Sequence, residues 1–416
     1  MTTFVDATCQ CELLRFRVTF ATDSLPITDD LCHCNTCRHT SGQMAVHRVS
    51  IQGVPLERFE NTSRMPTPGP GNHWQGHANH GTGNANGNSL HPPTILEPFE
   101  INIADPEEPL DLNDLIAYKT SKDVTRYFCS SCSAHLFWVH HQPDGDHWAV
   151  AVGALERTEG IVKIGYHIWV GDTLDGGMAD HLRSIEGVPL KRYKEALGSE
   201  ELPLGWKDKS ILEKKQPDQN KLQAHCHCGK ITFDITRPTE ASTEPSSPYP
   251  DLLCPYDVTH LSKITNPHDE KWWLRPTNSP LPTKYVAGHC MCPFCRRSSG
   301  FEVQSWAYIP LVNIVEPGSG MPICLEEESK RPKGLKQYIS SPGIYREFCE
   351  TCGASAFWWR ADVLDLVAVS VGLVDEASVG ARAEDWLEWQ KNRVSYIERA
   401  VSRSLGKALE DGLKMA

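Results

Sequence analysis

Three cysteines crowd six positions in LCHCNTCRHTSG, residues 31–42, and the spacing returns in GHCMCPFCRRSSG, residues 288–300. Cys32, Cys34 and Cys37, and then Cys290, Cys292 and Cys295, are both C-x-C-x-x-C triads. Thiolates so spaced read as a metal site, zinc first. Tetrahedral zinc takes four ligands, so each triad is one short. A fourth ligand from His33, His39 or a displaced loop would make a structural site, and a metal-free thiol cluster is another alternative. An open fourth position would instead be the arrangement of catalytic zinc. Three thiolates leave such a site with a net charge of about −1, a weaker Lewis acid than a three-histidine zinc that still favours a soft thiolate. A thiol entering the open position would lose its proton and stay by the metal.

The chain has sixteen cysteines, and fourteen are clustered. Besides the triads there are C-x-C pairs at Cys9 and Cys11 and at Cys226 and Cys228, and C-x-x-C pairs at Cys129 and Cys132 and at Cys349 and Cys352. Each C-x-C with the following C-x-x-C is expected to complete a tetrahedron, giving two closed four-cysteine sites that clip distant strands together, with ordinary buried cysteines as the alternative. Cys254 and Cys324 stand alone and read as ordinary residues.

The order pair, triad, pair occurs twice. From first copy to second the C-x-C moves by 217 positions, the triad by 258 and the C-x-x-C by 220. This is a duplication with insertions placed differently. The predicted division is a first zinc domain at 1–197, a linker at 198–222, and a second zinc domain at 223–416 ending in a helix. The first carries a mobile insertion at about 64–94, and the second an ordered, aromatic-bearing one at about 238–285. His73, His77, His80 and His91 in the first insertion are candidate metal ligands, though a loop of drifting composition would carry them as readily. Alternating and β-branched runs such as ELLRFRVTF and DLVAVSVGLV predict strands. Helical patterns are few, at residues 180–185, 190–196 and 386–413. The predicted class is therefore mainly β with a few short helices.

A formal charge of −12 and the lack of a Lys/Arg-rich stripe argue against a phosphate-held nucleic-acid partner. The N-terminus has no signal-peptide pattern, and no apolar run is long enough for a membrane span. Cysteines in such metal-like clusters suit a reducing compartment, so the expected location is the cytoplasm. Nothing sets the oligomeric state.

TCQCELLRF, CHCNTCRHTSG and YFCSSCSAHLFW in the first copy, with AHCHCGKITF, HCMCPFCRRSSG and EFCETCGASAFWW in the second, resemble the glutathione-dependent formaldehyde-activating enzyme family, which includes centromere-protein-V-like proteins. The resemblance implies two tandem zinc-binding domains of coiled β-sheet, a β-tent, each with up to two zincs. It also implies carbon–sulfur lyase chemistry on a small-molecule thiol adduct, with glutathione as co-substrate. Glu12 and Ser133 stand where the family has glycine, and Met291 where it often has histidine. A glycine there would serve a positive-φ turn, and its loss costs roughly 1 kcal/mol. Each triad is followed by an arginine, Arg38 or Arg296, able either to offset an anionic site and bind a substrate carboxylate or to salt-bridge a neighbouring strand. The expected catalytic set is the two triads with Arg38 and Arg296. The expected function is a zinc-dependent carbon–sulfur lyase, with a non-catalytic zinc-stabilised scaffold or binding protein as the alternative.

Overall fold

Alternation builds the first strands. Arg15–Ala21 buries every second residue, the period of a strand with one face on a core. It pairs antiparallel with Thr2–Thr8, and Leu56–Glu57 completes a three-stranded sheet. The computed structural model describes residues 1–57, 112–213, 220–277 and 279–416. The insertion at about 64–94 with its four histidines lies outside the described residues, as do linker residues 214–219.

The larger sheet of the first repeat runs Lys191–Arg192, Val162–Ile168, Ile27–Cys32, Val46–Ser50, Gly145–Ala151, His135–Gln142, Val124–Cys129 and Leu115–Ser121. Residues 220–416 follow a similar plan with a different edge. Lys221–His225, Thr232–Thr236 and Ile314–Val315 form its small sheet. Its large sheet runs Leu274–Arg275, Lys284–Cys290, Gln304–Pro310, Leu366–Ser370, Ser355–Arg360, Ile344–Cys349 and Leu335–Ser341. In each repeat the strand entering the triad has a parallel neighbour on one side, Val162–Ile168 in the first and Leu387–Trp389 in the second. The protein is mainly β, with coiled sheets and cysteine clusters able to hold zinc.

The two repeats share one compact unit. One hydrophobic cluster contains Leu31, Met178 and Leu182 from the first repeat with Trp273, Leu405 and Leu413 from the second. Backbone contacts between repeats are reciprocal. The N–H of Gly153 donates to the carbonyl of Gly300 (2.9 Å), and that of Gly372 to the carbonyl of Gly42 (3.2 Å). Gly42 and Gly300 end the short helices of the two triads in the left-handed conformation, at φ 77° and 83°. A Cβ on Gly42 would lie 2.1 Å from the carbonyl oxygen of Ser355, and one on Gly300 2.0 Å from that of His135. Gly300→Ala therefore combines a positive-φ penalty with an overlap against backbone. The expected loss is about 2–4 kcal/mol in chemical denaturation. A loss below about 1 kcal/mol would mean the repeats can separate here without strain.

Two predicted helices take other forms, and a third starts later than its pattern. Residues 180–185 contain only the end of a 3₁₀ turn, Gly177–Asp180, and then the strand Ser184–Ile185. That strand pairs with Val188–Pro189 across Glu186 and Gly187, both at positive φ, and this two-residue turn ends the helical pattern. Within 190–196, Lys191–Arg192 is a strand. Within 386–413, Leu387–Trp389 joins the sheet, and the helix is Arg403–Met415, capped by Ser402. The turn reading holds at Glu12 and Ser133. They sit at φ 59° and 64°, matching 74° and 77° at Gly229 and Gly353, so the first repeat keeps the turn without glycine.

Among the described residues no helix is long and apolar enough to cross a membrane.

Candidate metal centres

Each triad is assembled by a strand end and one helical turn. Cys32 ends Ile27–Cys32, Cys34 caps the helix Asn35–Ser41, and Cys37 lies in its first turn. The Cys34 sulfur accepts the Cys37 N–H at 3.3 Å. Cys290, Cys292 and Cys295 repeat this around Pro293–Ser299, where the Cys292 sulfur accepts the Cys295 N–H at 3.2 Å. Within each triad the sulfurs lie within 4.8 Å of one another, and among the described residues no fourth Cys, His, Asp or Glu joins them at that range. His33 is instead paired with His167 (2.9 Å), and His39 with the His225 carbonyl (2.8 Å) and Glu376 (3.2 Å). Burial lowers all three histidines below their usual range.

The outer pairs converge on two closed groups, Cys9, Cys11, Cys129 and Cys132, and Cys226, Cys228, Cys349 and Cys352. Sulfur–sulfur separations are 3.4 Å for Cys9 and Cys11, 3.6 Å for Cys11 and Cys129, 3.4 Å for Cys228 and Cys349, and 3.7 Å for Cys226 and Cys349. A tetrahedron with zinc–sulfur bonds of about 2.3 Å has sulfur–sulfur edges of about 3.8 Å, whereas a disulfide bond is about 2.05 Å. The donor set, its spacing and the N–H of Ile231 aimed at the Cys226 sulfur (3.3 Å) all suit zinc thiolates.

The arginines at the triads are not the expected ones. Arg38 is fully buried and pairs with Glu376 of the other repeat, and it also donates to Asn35 at 3.3 Å. Arg296 donates to the carbonyls of Leu155 and Val152, again across the repeats. Both follow their triads by one residue, and the helix turns them away from the sulfurs into the opposite repeat. The guanidiniums on sulfur are Arg126, 3.3 Å from Cys37, and Arg346, 3.4 Å from Cys295. Both are buried, on the strands Val124–Cys129 and Ile344–Cys349. Cys37 is held well below the usual thiol range, first by the sulfurs of Cys32 and Cys34 and then by the Arg126 charge. Cys295 is lowered in the same way by Cys290 and Cys292 and then by Arg346. A single guanidinium offsets the net negative charge of a three-thiolate zinc. The sequence signal was an arginine three residues before each C-x-x-C, in TRYFC and YREFC.

A cavity of about 350 Å³ opens at the second triad, lined by all three cysteines, Arg346 and a set of aromatic side chains. Part of its wall, including Asp251, Tyr256 and Trp272, comes from the insertion at residues 238–285. The described residues of that insertion pack against the core, with Trp272 and Trp273 buried.

No curated protein and no solved structure matches the chain. Residues 4–73, which carry the first C-x-C pair and the first triad, match the model of the family described as glutathione-dependent formaldehyde-activating enzyme.

Proposed function

We propose that the protein is a zinc-dependent carbon–sulfur lyase acting on an adduct of glutathione or another thiol. The observation that carries this reading is the second triad, three cysteines without a fourth ligand among the described residues, at the floor of a cavity. A zinc ion in such a triad supplies an open position that takes a thiolate. For a thiohemiacetal, the carbon–sulfur bond breaks with its electron pair going to sulfur, the hydroxyl proton leaves, and aldehyde and thiol separate.

The chain's own groups divide the remaining work. Arg346 holds the Cys295 sulfur and neutralises charge at the site, and burial of both keeps water from competing. Tyr308 lines the same cavity, and its phenol is raised well above the usual range, first by burial and then by Cys290. It therefore stays protonated and serves as a hydrogen-bond donor. The histidines beside the first triad are paired elsewhere and take no proton in this scheme.

Cys292→Ser tests the reading. Its kcat/KM for a glutathione–aldehyde adduct should fall at least about 100-fold, because losing a ligand exceeds the 10–100-fold cost of losing a ligand's supporting partner. Zinc content should drop by one, from about four per chain, and the thermal midpoint should fall less than on loss of a closed four-cysteine group. Wild-type protein that binds no thiol at a triad and turns over no adduct is the scaffold alternative, and that result would end the lyase reading.

A further inference from the structure

The cavity over the second triad is far larger than a one-carbon electrophile requires, and its walls are aromatic. Trp272, Trp306, Trp358, Tyr256, Tyr308 and Tyr396 line it. At about 350 Å³ it falls in the usual range for small-molecule pockets, roughly 300–1,000 Å³, while a group the size of water occupies about 30 Å³. The rings brace one another edge to face, Trp272 on Tyr308 at 5.0 Å and Tyr256 on Tyr396 at 5.8 Å. The guanidiniums of Arg360 and Arg399 also line the cavity, each already paired with a carboxylate, Asp362 and Asp257 respectively.

This wall belongs to the second repeat. Trp306 and Tyr308 correspond, at the triad's own offset, to Arg48 and Ser50. Tyr256 and Trp272 lie in residues 238–285, an insertion the first repeat lacks at that place. Asp251 fixes the insertion to the opposite wall. Its buried carboxylate accepts the backbone N–H of Tyr256 (2.8 Å) and of Tyr396 (2.6 Å), and pairs with Arg393 (2.7 Å).

We infer that this cavity takes a thiol adduct whose electrophilic half is a large aromatic group. Residues 238–285 set that preference, and Asp251 is a positioning residue that holds two of the cavity tyrosines. The inference rests on the thiol-adduct reading above and adds the class of electrophile.

Thioethers test it, because they occupy the site without reacting. S-(1-naphthylmethyl)glutathione and S-methylglutathione are titrated by calorimetry into the zinc-loaded full-length protein, with tryptophan fluorescence as a second readout. The naphthyl compound should bind at least about tenfold more tightly, from the added apolar area buried. It should also quench the cavity tryptophans. Trp358→Leu and Asp251→Asn should each shrink that ratio, with circular dichroism checking that the variants are folded. Affinities within threefold of each other in the wild type, or an undiminished ratio in folded Trp358→Leu, would overturn the inference. If the lyase reading alone is wrong, no adduct is turned over while the preference between the thioethers remains. If the inference alone is wrong, adducts are turned over and the preference is absent.

Discussion

Glu376→Ala is expected to destabilise the protein by about 3–5 kcal/mol, the usual result of breaking a buried ion pair from one side. The carboxylate of Glu376, at the start of the short helix Glu376–Val379 in the second repeat, meets the first triad's helix. It pairs with Arg38, accepts the side-chain amide of Asn35 at 2.6 Å and lies 3.2 Å from His39. Arg38 has no exposed side-chain surface, so losing its partner leaves a cation with no route to water. Burial raises the Glu376 acid, but His39 and Arg38 outweigh it and bring it down to about 2. A folded-state value below the ordinary 4.5 means this stabilisation is present above about pH 4.5 and is lost as the pH falls towards 2. Denaturant unfolding of Glu376→Ala, and of the double variant Arg38→Met with Glu376→Met, separates the cost of a stranded charge from the worth of the pair itself. The double variant should recover most of the loss, because an apolar pair replaces both charges. A single variant within about 1 kcal/mol of wild type would show that the repeats do not depend on this contact.

This contact also marks where the sequence stops being legible. The spacing of fourteen cysteines predicted both closed groups and both triads, and the structure brings each set together. Such spacing is local: a strand end, a cap and one helical turn aim three sulfurs at one point whatever surrounds them. The arginines are different. Arg38 and Arg296 sit next to ligands in sequence, but a helix sends adjacent side chains about 100° apart, and theirs cross into the other repeat. Arg126 and Arg346 are distant in sequence and reach the sulfurs through strand pairing. The matched cysteine series held the signal, since both arginines precede their C-x-x-C by three residues. The reciprocal role of Gly42 and Gly300 was likewise written twice as a matched offset, but its reason lies in a backbone approach between repeats that one-dimensional spacing does not contain. The helix pattern failed over residues 180–185 because a Glu-Gly turn at positive φ outweighed a weak periodicity.

Cys352→Ser is expected to act quite differently from Cys292→Ser, although each removes one sulfur. Cys352 is fully buried and belongs to the group that joins the turn after Lys221–His225 to the turn after Ile344–Cys349. Zinc bound only in the folded state adds its binding free energy to folding, and structural sites in small zinc domains reach about 10–16 kcal/mol. A sizeable hydrophobic core remains here, so a smaller loss is expected, at least about 4 kcal/mol, together with one zinc per chain. The damage should spread across the repeats. Gly353, next to Cys352, has no room for a Cβ, which would lie 2.7 Å from the ring of Phe128 in the other repeat. The Gly353 carbonyl also accepts from His135 at 3.3 Å. Loosening this turn therefore disturbs the strand that carries Arg126 to the first triad. Metal analysis and denaturant unfolding of both variants settle the point. If Cys352→Ser loses its zinc but keeps wild-type stability, the closed groups are not what holds the strands together. If Cys292→Ser is the less stable of the two, the triads are structural and the open-site reading fails with them.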